Sequence, residues 1–148
     1  ISDENTYAVL HRLCEDGDPM VRVAALTSLS RSDAPDRFTM LQSFLDDSEV
    51  QCRKAALGLI EGMANSNTGH ESDTQSVTVS VSSVIPLLND EDFQIQRAAV
   101  YALETLILSG AADVGTAVEA VRQLANPKPA GSGEIQLIAE AMLSRIAN

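Results

Sequence analysis

The strongest constraint on the fold is a segment that recurs three times along the chain. The stretch EDGDPMVRVAALTSL (residues 15–29) aligns without a gap to DDSEVQCRKAALGLI (46–60) and NDEDFQIQRAAVYAL (89–103). Each copy has an aspartate near its start and a pair of alanines near its centre, followed by large apolar residues. Self-similarity of this kind indicates structural units that stack on one another, because a single unit is too small to bury its own apolar face.

The aligned register continues upstream and predicts two helices in each unit. Apolar residues precede each copy at spacings of three, three and one, which places them on one stripe of a helix. We name this helix A and the following amphipathic segment helix B. The predicted helices are 4–14 and 19–31, 36–45 and 50–64, 78–88 and 93–109, and, in a less regular fourth unit, 113–125 and 134–147.

One domain over residues 1–148 is predicted, with repeats at 4–31, 36–64, 78–109 and 113–147. The copies are offset by 31 and then by 43 residues, and the difference of 12 equals the length of NSNTGHESDTQS. This polar stretch, residues 65–76, is predicted to be a loop inserted between the second and third units. In the fourth unit NPKPAGSG separates the two helices, since proline and glycine end helices.

Residues at the helix starts favour the same boundaries. Asp18 before Pro19 is a good N-cap, because proline at the first helical position loses no hydrogen bond. Ser48 and Gln51 have the spacing of a capping box.

Two stretches resemble HEAT repeats: VIPLLNDEDFQIQRAAVYALETL (84–106) and LCEDGDPMVRVAALTSL (13–29). The short period is similar to that of the HEAT-like repeats named after phycobilisome lyases. The resemblance implies an all-α, right-handed α-α superhelix, a HEAT-like solenoid of about four antiparallel helix pairs. In that family an arginine of helix B commonly pairs with turn acids of a neighbouring repeat. By resemblance, inter-repeat roles are therefore expected for Asp16, Arg22, Asp47, Arg53 and Asp90, whereas the third aligned position departs from the family and is Gln96, beside Arg97.

Helix B has one constant face and one variable face. Positions that are apolar in all three units are expected to face the core: Val21, Cys52, Ile95, Ala24, Ala55 and Ala98. The resemblance implies that the B helices line the concave surface, so the variable stripe is the candidate protein-binding face. Its candidate binding residues are Met20, Val23, Thr27, Gln51, Lys54, Glu61, Gln94, Arg97, Tyr101 and Glu104, and Ser30 and Gly58 have the same spacing. An ordinary solvated helix face is the alternative. Tyr101 is the first position to mutate, because an aromatic flanked by charge is typical of interface hot spots.

Acids in the turns before the B helices form a second candidate surface. Nine of the 21 acids lie there: Glu15, Asp16, Asp18, Asp46, Asp47, Glu49, Asp90, Glu91 and Asp92. Helix capping accounts for acids at such positions. A ridge that binds a basic partner is the other interpretation.

Charge and composition exclude several functional classes. The net charge of −11 disfavours binding to nucleic acid or to anionic membranes and favours a protein partner with a basic surface. Nothing resembles a signal peptide or a membrane span, so we expect a soluble, intracellular protein in the cytoplasm. Cys14 and Cys52 are expected to be core residues. His11 and His70 lie near no nucleophile in the sequence, and no catalytic residue, metal ligand or cofactor is predicted.

These observations favour a non-catalytic protein–protein interaction scaffold within a larger protein or assembly. The alternative is a component of a bilin chromophore lyase, as the phycobilisome-type resemblance suggests. A third possibility, a HEAT-like DNA-repair glycosylase, requires a basic groove with aromatic residues. The sequence has few of either.

Overall fold

Helices account for most of the residues that the structure describes. The computed structural model describes residues 4–66, 81–110, 114–126 and 133–148. The first unit contains α1 (Glu4–Cys14) and α2 (Pro19–Ser30), and the second contains α3 (Arg37–Phe44) and α4 (Val50–Ser66). The third contains α5 (Val81–Val84), a 3₁₀ helix (Ile85–Asn89) and α6 (Phe93–Leu108), and the fourth contains α7 (Val114–Ala125) and α8 (Gly133–Ile146). The described residues contain no strand, and the predicted all-α fold is confirmed.

The B helices form a continuous row. Helix α2 packs on α4, α4 packs on α6, and α6 packs on α8, while the A helices α1, α3 and α7 pack against the B helix of their own unit. The core runs along this row. Leu26, Leu57 and Val100, which occupy one aligned position, are all fully buried. The repeated sequence therefore produces a repeated interface, as expected for a solenoid.

The A helix of the third unit is less regular than the sequence pattern suggests. A helix over 78–88 was expected, but the described part is the single α-helical turn of α5 followed by the 3₁₀ helix. Pro86 lies at the start of the 3₁₀ segment. Proline has no N–H group and its ring disfavours the preceding α-helical turn, so the chain tightens there. Residues 78–80 lie outside the described residues.

The helix starts show one correct capping prediction and one wrong one. The side chain of Asp18 accepts a hydrogen bond from the N–H of Met20 at 2.8 Å. Helix α4, however, begins at Val50, and the N–H groups of Cys52 and Arg53 donate to the carbonyl of Glu49. Glu49 thus occupies the N-cap, and Ser48 lies one residue too early for a capping box. The gap-free alignment already paired Glu49 with Asp18.

The expected core positions on the B helices are confirmed for Cys52 and Ile95, only partly met by Ala55 and Ala98, and wrong in the first unit. Cys52 and Ile95 are fully buried. Ala55 and Ala98 are half-buried, and the second alanine of each pair, Ala25, Ala56 or Ala99, is the buried one. In the first unit Val21 is half-buried and Ala24 is exposed. The reason is that their side of α2 faces away from α4, and no described unit covers it.

Cys14 and Cys52 are free and buried, as expected. In the ranges given above, none of the helices combines the length and the apolar character that a bilayer crossing requires. The part of the polar insert after Ser66, which contains His70, and residues 127–132 of NPKPAGSG lie outside the described residues.

Candidate functional site

An arginine at the start of α2 connects the first unit to the second. Arg22 donates from Nε to Oδ2 of Asp47 at 3.1 Å and from Nη2 to Oδ1 at 2.8 Å. Its Nη1 donates to the backbone carbonyl of Asp16 in its own unit at 2.9 Å. The side chains of Arg22 and Asp47 are each 13% exposed. One guanidinium therefore fixes the turn of its own unit and binds the turn of the next.

The same arrangement recurs one unit further along. Arg53 donates from Nε and Nη2 to the two carboxylate oxygens of Asp90, at 2.8 and 3.0 Å. Its Nη1 donates to the carbonyl of Asp47 at 2.9 Å. The two side chains are 14% and 8% exposed. Bidentate pairs of this kind are strong and geometrically specific.

Asp16, Asp47 and Asp90 each lie in the same type of turn, which fixes the orientation of the carboxylate. Oδ1 of each aspartate accepts a hydrogen bond from the backbone N–H two residues later: Asp18 N–H to Asp16 at 2.8 Å, Glu49 N–H to Asp47 at 2.9 Å, and Asp92 N–H to Asp90 at 2.9 Å. Such Asx turns orient the carboxylate relative to the following helix. This explains why the aspartate recurs at one position in the sequence.

Both bridged carboxyl groups have a lowered pKa. Burial raises the pKa of Asp47, but hydrogen bonds from Arg22 and from the backbone N–H of Glu49 lower it by more. Asp90 behaves in the same way: burial raises its pKa, and the hydrogen bonds from Arg53 and from the Asp92 N–H outweigh that effect. The charged form of each aspartate is therefore the one that the folded protein stabilises.

The third and fourth units have glutamine where the first two have arginine. Gln96 donates from Nε2 to the carbonyl of Asp90 at 2.7 Å, and Gln136 donates to the carbonyl of Asn126 at 2.9 Å. Each glutamine thus keeps the hydrogen bond within its own unit. The amide is too short and carries no charge, so it makes no bridge to a following unit.

A different ion pair connects the third unit to the fourth. Glu104 near the end of α6 is 9% exposed and accepts from Nε and Nη2 of Arg145 on α8, the latter at 2.8 Å. This bridge lies near the ends of the two B helices, whereas the Arg22 and Arg53 bridges lie near their starts. No sequence repeat signals it, because it occurs once.

The predicted binding stripe on the B helices is exposed in its early positions. Met20, Gln51, Lys54, Gly58, Gln94 and Arg97 are exposed, and Val23, Thr27, Glu61 and Tyr101 are half-buried. The guanidinium carbon of Arg97 lies 5.7 Å from the centroid of the Tyr101 ring. Since α4 and α6 pack together, Lys54 and Arg97 place two cations on neighbouring helices of a strongly acidic chain.

Two members of the stripe are not on the exposed face. Glu104 is buried in its ion pair with Arg145, and Ser30 is buried and donates to the carbonyl of Thr27. Both lie ten residues after the first member of their stripe. At about 100° per residue, ten residues rotate the side chain by roughly 80° away from the starting direction, which turns it towards the neighbouring elements.

Most of the turn acids have structural partners. Asp16, Asp47 and Asp90 accept in the Asx turns, and Asp18 and Asp92 cap α2 and α6. Glu15, Asp46, Glu49 and Glu91 have exposed side chains. The acidic ridge is thus largely a set of capping and bridging groups.

Reactive groups are sparse in the described part of the chain. No group of three or more His, Cys, Asp or Glu side chains there is arranged to hold a metal ion. His11 Nε2 lies 3.0 Å from the carboxylate of Asp36. Burial, together with the nearby charges of Glu15 and Asp36, raises the pKa of the Cys14 thiol to about 11. A thiol with that pKa is a poor nucleophile at neutral pH.

Paired helices that stack in a row, with one arginine bridge repeated between successive units, define an α-helical repeat protein. Residues 1–61 match the family model for HEAT repeats, and this part of the chain is similar to that family. The match covers the first unit and most of the second, which share the arginine bridge. No curated protein shows significant sequence similarity to the chain. HEAT repeats are generally protein-interaction scaffolds.

Proposed function

We propose that this chain is a non-catalytic protein-interaction module that holds its partner on the B-helix stripe of the second and third units. The observation that supports this most directly is the group formed by the exposed Lys54 and Arg97 and the half-buried Tyr101, with the guanidinium of Arg97 placed over the ring. Arginine and tyrosine are enriched among residues that dominate binding energy. The partner contacts these side chains, and the buried repeats beneath keep them in place.

The charge pattern around the stripe supports a mixed interface. Glu104 is neutralised by Arg145, so its charge does not oppose an acidic group bound at Arg97. Exposed acids lie in the turns at the start of the same helices, at Glu49 and Glu91. A partner that spans both areas presents acidic or polar groups to the stripe and basic groups to the turns.

Affinity capture with purified, immobilised chain tests this proposal. Proteins from the native source are bound to the unaltered chain and to an Arg97→Glu and Tyr101→Ala double variant, and the bound proteins are quantified by mass spectrometry. We expect the specific partners to be lost with the double variant, because a hot-spot pair has been removed and a charge reversed.

Arg122→Glu is the matched control. It makes the same charge reversal at an exposed arginine on α7 that pairs only with Glu119 of its own helix among the described residues. Circular dichroism and thermal melts establish that each variant is folded. Unchanged capture by the double variant would contradict the proposed face. Binding of a bilin by the purified chain, or its transfer to an acceptor protein, would contradict the scaffold function itself.

A further inference from the structure

Two cations of the B-helix stripe have no carboxylate partner in the described part of the chain. Five arginines there form ion pairs with acids: Arg22, Arg37, Arg53, Arg122 and Arg145. Lys54 and Arg97 form none, although the chain has 21 acids and only 10 lysines and arginines. Both side chains are exposed, and the guanidinium of Arg97 lies over the ring of Tyr101. Their charges are therefore available to a partner.

The second and third units place the same two kinds of side chain at the same two positions. Gln51 aligns with Gln94, and Lys54 aligns with Arg97 three residues later, on two helices that pack together. The two glutamines are exposed, and an amide side chain can both donate to and accept from a peptide group. Because the axes of packed helices lie about 8–10 Å apart, the pair of an amide and a cation recurs at about that distance. A matching ligand repeats a peptide group and an anion at the same distance.

Acids on both sides confine the two cations to a narrow band. Glu49 and Glu91 are exposed in the turns that precede α4 and α6. Glu61 lies seven residues after Lys54, which is about 10 Å further along α4. An acidic segment that ran along either helix would bring its own charges against these acids. A segment that crosses from α4 to α6 stays on the band, so the charge pattern favours the crossing direction.

We propose that the stripe binds an extended acidic peptide segment of its partner, which crosses α4 and α6 and carries two carboxylates three residues apart. One carboxylate pairs with Lys54 and the other with Arg97, while Gln51 and Gln94 hydrogen-bond to the peptide backbone. In the polyproline II conformation residues i and i+3 lie on one side of the chain at about 9 Å, which matches the helix spacing. This inference rests on the proposed function, because it takes the stripe as the binding face, and it adds the chemistry of the partner.

Nucleic acid is a poorer occupant of the stripe than such a segment. Its phosphates continue in both directions, whereas the band offers two cations between the exposed acids Glu49 and Glu91 and the acid Glu61. The net charge of −11 repels a long polyanion at every further phosphate. A peptide can carry two acids and then continue with neutral residues, which suits a band of this size.

Synthetic peptides test the spacing of the two acids. Short fluorescein-labelled peptides carry two glutamates among serines, at i and i+1, i+3 or i+7, and their affinity for the full chain is measured by fluorescence polarisation. We expect the i, i+3 peptide to bind about fivefold more tightly than the other two, because it reaches both cations without bending. Lys54→Gln and Arg97→Gln are each expected to lower that affinity about fivefold. Arg122→Gln, which changes an exposed arginine on α7, is the matched control and leaves the affinity unchanged.

Gly58→Glu supplies a competing carboxylate within the chain. Gly58 follows Lys54 by four residues on the same side of α4, and a methyl group there would meet no atom within 4 Å outside its own stretch of helix. Replacing a glycine inside a helix also favours the folded state. The new carboxylate has the i, i+4 spacing of a helical ion pair with Lys54. We therefore expect Gly58→Glu to bind the i, i+3 peptide about threefold more weakly than Gly58→Gln, which has the same size; equal binding by the two variants would overturn the contact with Lys54.

A mutant cycle assigns each acid of the peptide to its cation. Glu→Gln at one position of the peptide is expected to have little further effect in the chain variant that lacks the facing cation. Absence of binding at about 1 mM peptide, or equal affinities for the three spacings, would overturn the acidic segment. Tighter binding of an alanine-rich helical peptide with glutamates at i and i+7 would overturn the extended conformation, and displacement of the peptide by oligothymidylate would overturn a peptide as the occupant.

The capture experiment distinguishes failure of this inference from failure of the proposed function. Loss of partner proteins from the Arg97→Glu and Tyr101→Ala variant, together with absence of peptide binding, would leave the binding face in place and overturn only the acidic segment. Unchanged capture by that variant would overturn the binding face itself.

Discussion

The interface between the first two units and the interface between the last two are held by ion pairs at opposite ends of the B helices. Arg22 and Asp47 join α2 to the turn before α4, whereas Glu104 and Arg145 join α6 to α8 near their ends. The first pair is a contact that recurs, because Arg53 and Asp90 form the same ion pair between the second and third units. The second occurs once, where glutamine has replaced the arginine.

This difference shows how a repeat array can lose its standard contact and remain packed. Gln96 keeps the short hydrogen bond to its own turn, so the turn is unchanged. The connection to the next unit is then made by residues that have no role in the other interfaces. The apolar layer along the B helices is common to all of them, since α8 buries Ile135, Ala139 and Met142.

Replacing Arg53, which joins the second unit to the third, is expected to have the largest effect on stability. Arg53→Gln copies the natural change at Gln96: it keeps a donor for the carbonyl of Asp47 and leaves the Asp90 carboxylate buried without its cation. We expect a loss of about 2 kcal/mol in the free energy of unfolding, measured by urea denaturation. Arg122→Gln, at an exposed pair, should change it by less than about 0.5 kcal/mol. Equal losses for the two variants would show that the Arg53–Asp90 ion pair contributes no more to stability than an exposed pair does.

Acid should weaken the two arginine bridges selectively. The pKa values of Asp47 and Asp90 lie below their ordinary value of 3.8 in the folded protein. Their contribution to stability is therefore complete above the unfolded pKa and is lost as the pH falls through the folded pKa. We expect the free energy of unfolding to fall below about pH 4, and to fall less steeply in an Asp47→Asn and Asp90→Asn variant.

Urea titrations at a series of pH values measure this slope. The matched control is Glu15→Gln with Glu91→Gln, which removes two acids that are exposed in the same turns. An acid slope that is the same in the control and in the aspartate variant would show that the bridges do not determine it.

Removal of the Glu104 charge tests the bridge of the last interface. In Glu104→Gln the amide still fits the site, and Arg145, which is half exposed, can turn to solvent. We expect a loss of about 1 kcal/mol in the free energy of unfolding, smaller than for Arg53→Gln. Hydrogen exchange should show the opening confined to α8 and the end of α6; protection lost evenly along the row would argue against a local role.

Restoring the arginine in the third unit should have the smallest effect. The segment NPKPAGSG that precedes α8 contains no acid, so the guanidinium created by Gln96→Arg has no carboxylate to bind there. We expect a change within about 0.5 kcal/mol in thermal or urea unfolding. A clear stabilisation would mean that the arginine acts through its own turn and does not need an aspartate in the next unit.

Much of the fold could be predicted from the sequence because the repeat encodes local structure. The apolar spacing located the B helices to within two residues of their observed limits, and aspartate and proline marked the start of α2. The third A helix was predicted less well, because Pro86 interrupts a pattern that otherwise reads as one helix. The sequence also did not predict which alanine of each pair is buried, because that depends on which helices pack against the two sides of the B helix.

The candidate site was predictable in part. Exposure of Gln51, Lys54, Gln94 and Arg97 follows from helical periodicity. The burial of Glu104 does not, because it depends on Arg145, which is 41 residues away in the chain and lies outside any aligned register. Nor does the exposure of Ala24, since it has the same apolar character as its more buried counterparts Ala55 and Ala98.

The sequence by itself determined the unit: two helices, the capped turn between them, and the apolar stripe that each presents, all of which depend on residues close together in the chain. The tertiary structure alone decided which copies of that unit are covered. Arg22 and Arg53 reach carboxylates because a following unit supplies them, and Val21 and Ala24 remain accessible because no described unit lies against them. Burial is a property of neighbours in space, and similar local sequences acquire different exposure in different parts of the described row.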